Sequence, residues 1–74
     1  MDKKVYVVHW YYKGGMGFNW YPDEADRDKD FYSTFPFQQD GTFKKVTKFD
    51  IYVEGIANRA LTTKEIDDWL HELL

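Results

Sequence analysis

Few residues of this chain combine the side-chain type and spacing that catalysis or metal binding demands. His9 and His71 are its only histidines and Ser33 its only serine, and Ser33 has no Ser–His–acid context. The absence of cysteine rules out disulfides, thiolate metal sites and a cysteine nucleophile. Asp26-Arg27-Asp28-Lys29-Asp30 begins like a calcium loop. Phe31 then stands where the sixth position needs glycine, and Phe37 where the twelfth needs glutamate, so an EF-hand is excluded. Gly14, Gly15 and Gly17 invite comparison with a phosphate-cradling loop, which requires a helix immediately after it. A strand pattern follows instead. The chain therefore reads as a non-enzyme without cofactor or metal. His9 is expected to be a hydrogen-bonded structural histidine, and His71 to sit in the last turn of a helix, where a partly cationic imidazole suits the dipole.

These residues are positioned by a hairpin over Lys4–Tyr21, KVYVVHWYYKGGMGFNWY. Its first half is almost wholly β-branched or aromatic, the types that fit a pleated surface. A turn centred on Gly14-Gly15, where glycine supplies positive φ without strain, sets Tyr12 opposite Gly17 and His9 opposite Trp20. Alternation then gives one face Val5, Val7, His9, Tyr11, Phe18 and Trp20. The other face takes Tyr6, Val8, Trp10, Tyr12, Asn19 and Tyr21.

Seventy-four residues make one small domain, near the lower limit for an unaided core. Fifteen aromatics (three Trp, six Tyr, six Phe) supply most of what it can bury. No apolar run approaches the ~20 residues that span a bilayer, and the N-terminus lacks a signal-peptide pattern. A soluble, cytoplasmic protein is expected. Charge is uneven within the net −3: residues 22–33 hold five acids against Arg27 and Lys29, and residues 62–74 hold four against Lys64.

Pro22 and the acids after it predict a short helix over 22–33, with a solvated acidic loop as the alternative. Residues 34–44, with Pro36 and Asp40-Gly41, suit either a loop or a small hairpin joining 35–38 to 42–46. Val46–Glu54 alternates cleanly: Phe49, Ile51 and Val53 face one way, Lys48, Asp50, Tyr52 and Glu54 the other. Gly55 is expected to end this strand, with 56–61 connecting onward. Thr62-Thr63-Lys64-Glu65 is a capping box, with Leu61 and Ile66 as its hydrophobic staple. Ile66, Trp69, Leu70 and Leu73 then form the apolar stripe of a helix from Thr63 to the C-terminus.

The order β-β-α-β-α predicts an α+β fold with an antiparallel sheet of three strands, or four if 35–46 pairs. A right-handed crossover gives sheet order 2-1-3. Both helices are expected on one face, leaving the other open.

On that open face stand Tyr6, Trp10, Tyr12, Tyr21 and Tyr52, of the types that dominate interface hot spots. Asp23, Glu24, Asp26, Asp28 and Asp30 add an acidic helix face able to steer a basic partner. The expectation is a protein-binding module, adaptor or inhibitor. A homodimer, or the 34–44 segment, is the competing cover for the rings. The alternative function is stacking of single-stranded nucleic acid on the same rings, flanked by Lys4, Lys44 and Lys48. In its small size, lack of cysteine, and aromatic and acidic character the chain looks like the accessory proteins of phages and mobile elements, some of which inhibit host defences. That resemblance is one of overall character, without a shared motif.

Overall fold

The computed structural model describes residues 2–54 and 61–74. The expected strand end at Gly55 and the connection through 56–60 lie outside the described residues. Strands β1 (Asp2–Tyr12) and β2 (Gly15–Tyr21) form the hairpin, turning on Lys13 and Gly14. Gly14 alone takes the left-handed conformation, φ +92°, while Gly15 already belongs to the strand. The register is accordingly Tyr12↔Gly15, Trp10↔Gly17 and His9↔Phe18, rather than one centred on both glycines. The partner of each β1 residue shifts by two, so every side chain keeps its expected face.

Strand β3 (Lys45–Glu54) pairs antiparallel with the free side of β1, giving the order β2-β1-β3. The sheet thus has three strands, with β1 in the middle. The 34–44 segment forms no extra hairpin: 36–39 make a short helix and 40–44 a loop. Helix α1 (Glu24–Thr34) runs nearly into α2, a single turn over Pro36–Gln39 with proline in its first turn. α1 begins two residues later than expected, with Asp23 as its cap: the Asp23 carboxylate accepts from the Ala25 amide at 3.2 Å.

Helix α3 (Thr63–Leu73) begins with the expected capping box. The Glu65 amide donates to Thr62 Oγ1 at 3.2 Å, and the Thr62 amide to Glu65 Oε1 at 2.9 Å. Its stripe places Ile66 and Leu70 against Val5, Val7 and Val53, all buried. Phe18, Trp20, Phe49, Ile51, Leu61 and Trp69 surround that core.

Here the structure corrects one expectation: the helices lie on opposite faces. α3 covers the face of Val5, Val7 and Phe49. α1 covers the other, where its residues meet Tyr6, Asn19, Tyr21 and Lys48. The reason is chemical. α1 has little apolar surface and docks through polar groups instead. Arg27, only 5 % exposed, donates from Nη1 to the Phe49 carbonyl at 2.7 Å and lies over the Tyr6 ring. The molecule measures 45 × 27 × 14 Å. The middle dimension suits a helix–sheet–helix stack, and the smallest suits a ribbon of three strands about 4.8 Å apart. Among the described residues no helix is long and apolar enough to cross a membrane.

Candidate functional site: the open edge of the sheet

α1 and α2 cover the aromatic face that the sequence led us to expect open. Tyr6 lies half-buried under Arg27. Trp10 fits over Gly17 so closely that a Cβ there would come within 2.7 Å of the indole. Its other side stacks on Phe43 at 5.8 Å, and Phe43 also meets Tyr12 and Phe37 at 6.3 and 5.5 Å. The Phe43 amide returns to the Phe37 carbonyl at 2.9 Å, which folds the 34–44 segment back under these rings. The Tyr21 hydroxyl donates to Asp30 at 2.7 Å, and that hydrogen bond pushes the phenol up to about 12. Tyr52 remains 66 % exposed beside Lys4 and Tyr12 42 % exposed.

The acids divide in the same way. Asp23 is the helix cap. Asp28 accepts from Arg27 at 2.8 Å and Lys48 at 3.2 Å, and the Arg27 hydrogen bond holds its carboxyl below the usual range. Asp30 accepts from Asn19, Tyr21 and Thr34. Glu24 and Asp26 remain exposed. Of the expected site residues, Tyr6, Tyr21, Asp28 and Asp30 join α1 to the sheet, whereas Tyr12, Tyr52, Glu24 and Asp26 remain exposed.

The lysines proposed for nucleic acid are partly engaged as well. Lys4 pairs with Asp50 at 2.7 Å and Lys48 with Asp28, while Lys44 is exposed.

What the sheet leaves accessible is its edges, and the two edges differ sharply. β3 reads KVTKFDIYVE, with lysines, Asp50 and Glu54 along it. One helix side chain also occupies its outer backbone: Gln38 Oε1 accepts the Val46 amide at 2.7 Å, while the Phe49 carbonyl that Arg27 holds faces β1. β2 reads GMGFNWY, without a charge or a proline, and none of its residues is fully buried. The two-residue turn makes Tyr12 and Gly15 the closing hydrogen-bonded pair. By alternation Gly17, Asn19 and Tyr21 then also bond to β1, while the amides and carbonyls of Met16, Phe18 and Trp20 aim away from it. Among the described residues no group hydrogen-bonds that outer row.

Two clefts flank this edge. One, of about 260 Å³, wraps the edge at Gly17 and is lined by Trp10, Met16, Phe18, Asp67 and His71. The other, of about 300 Å³, lies between Tyr21 and a single stripe of α1, Asp26, Lys29, Asp30 and Ser33. Hairpin and helices together frame β2 from both sides. The clue was in the sequence: residues 15–21 are the strand-forming stretch with no gatekeeping charge.

His9 lies on the α3 side opposite Phe18, 5 % exposed, with Nε2 3.3 Å from Met16 Sδ and its ring edge-on to Tyr11. A thioether only accepts, so Nε2 carries a proton. Burial pushes its pKa below the ordinary value of 6.5. The unfolded chain therefore binds this proton more readily, and the stability that neutral His9 maintains above pH 6.5 falls as pH drops below it. Urea midpoints should decrease from pH 7.5 to 5.5 in the wild type and show a flatter slope in His9→Phe. Equal slopes would contradict this assignment. His71 is exposed, with Nδ1 2.8 Å from the Asp67 carbonyl and its ring edge-on to Phe18. Among the described residues no three metal-ligating side chains come together. Comparison with protein-family models, curated proteins and solved structures finds no match to this chain.

Proposed function

We propose that the domain is a non-enzymatic protein-binding module, an adaptor or inhibitor, that takes an extended segment of its partner as a fourth strand beside β2. One observation carries this reading: β3 is guarded by the charges of Lys48 and Asp50 and by Gln38 on its outer backbone, whereas β2 presents its backbone beside two clefts. Strand addition draws affinity from main-chain hydrogen bonds and selectivity from pockets that take alternate side chains. A rigid hairpin already held in register spares most of the ordering cost on the protein's side.

Charge selects the occupant. Both helices that frame the edge are acidic, α1 with four acids against two bases and α3 with four against Lys64. A second copy pairing β2 to β2 would bring like charges together on both faces, so a basic segment of another protein is favoured. The covering of the aromatic face weighs against the alternative of base stacking, which needs exposed rings.

The test is a library of displayed extended peptides selected on the immobilised domain, followed by N-methylation of each backbone amide of a selected peptide. Alternate amides should be sensitive, since only every second one faces β2. Uniform tolerance, or dimers by light scattering in place of peptide binding, would refute the proposal.

A further inference from the structure

Resting on strand addition at β2, the spacing of the two clefts constrains what the added strand must carry. The cleft beside Gly17 opens on the α3 side between Met16, Phe18 and Asp67. A strand residue paired opposite Phe18 shares the face of Phe18 and enters that cleft. The cleft on the α1 side is reached from opposite Tyr21, which shares the face covered by α1. Phe18 and Tyr21 are three residues apart, an odd separation, so their partners point to opposite faces.

Each cleft holds a carboxylate beside an aromatic ring, Asp67 by Phe18 and Asp26 by Tyr21. On the α3 side, Met16 and Phe18 can line an aliphatic stem while Asp67 meets its charged head, the way lysine and arginine pack at surfaces. On the α1 side Asp30 is already taken by Tyr21 and Asn19, which leaves exposed Asp26 as the acceptor, with Lys29 lining the same cleft. We infer that the module recognises an extended segment bearing two basic side chains three positions apart, one seated against Asp67 and one against Asp26. The spacing is set by the strand period and holds for either direction of the added strand.

The experiment uses the whole chain and synthetic nine-residue threonine–valine peptides, measured by calorimetry at low and moderate salt. One carries lysine and arginine three positions apart; an isomer carries them two apart, on one face; a third is neutral. The first should bind about tenfold tighter than its isomer, the value of one charged hydrogen bond gained. Asp26→Asn and Asp67→Asn should each remove about that factor for the first peptide and little for the neutral one. Equal binding of the two isomers, with sensitivity to N-methylation on one side only, would overturn the spacing and leave strand addition standing. Binding indifferent to N-methylation on either side would overturn both.

Discussion

Arg27→Ala is expected to lower folding stability by about 2–4 kcal/mol, the cost of leaving a buried carbonyl and a docked helix without their charged donor. A core of this size supplies roughly 3–5 kcal/mol net, so the variant should lose most of its stability. The guanidinium is 5 % exposed and makes three contacts at once: the Phe49 carbonyl at 2.7 Å, Asp28 at 2.8 Å and the face of Tyr6. Lysine offers one compact charge and no planar fork, so Arg27→Lys should recover less than half of the loss. Chemical denaturation followed by tryptophan fluorescence measures both. A midpoint for Arg27→Ala indistinguishable from wild type would mean that α1 is held by something other than this side chain.

The second large effect is on the opposite face. Leu70 is fully buried among Val5, Val7, Val53 and Ile66, and Leu70→Ala should cost about 2–5 kcal/mol through lost transfer energy and an unfilled cavity. Leu73, one turn on and half exposed at 50 %, is the control: Leu73→Ala should cost less than about 1 kcal/mol. If the two substitutions proved equally mild, α3 would not be the lid of the core.

These paired effects explain which parts of the molecule were legible in the sequence. β1 is apolar on both sides, which marked it as the central strand, and the alternation of 46–54 assigned Phe49, Ile51 and Val53 to the core. Thr62 and Glu65 announced the start of α3. In each case apolar periodicity or cap chemistry is the quantity that decides the structure. The placement of α1 is decided otherwise. Its contacts to the sheet are Arg27 to a carbonyl, Asp28 to Lys48 and Asp30 to Tyr21 and Asn19, and a search for apolar stripes is blind to polar docking. The face expected to be bare is covered in large part for that reason, and Tyr6 and Tyr21 are engaged by α1 while Tyr12 and Tyr52 stay exposed. The 34–44 segment was legible only in part: Pro36 and Asp40-Gly41 marked a break but not the short helix at 36–39, and the return of Phe43 to Phe37 depends on tertiary packing with Trp10. The open edge was encoded as an absence of charge over seven residues, a signal that emerges only once the neighbouring strands are ordered.

The inequality of the two borders also limits assembly. Indefinite growth of a sheet needs two receptive margins, since each newcomer must offer a fresh template to the next. With Gln38 and the charges of Lys48 and Asp50 guarding one margin, pairing along the other ends after a single event. The domain should therefore saturate at one-to-one stoichiometry and resist fibre formation, despite carrying so sticky a ribbon in plain view of solvent.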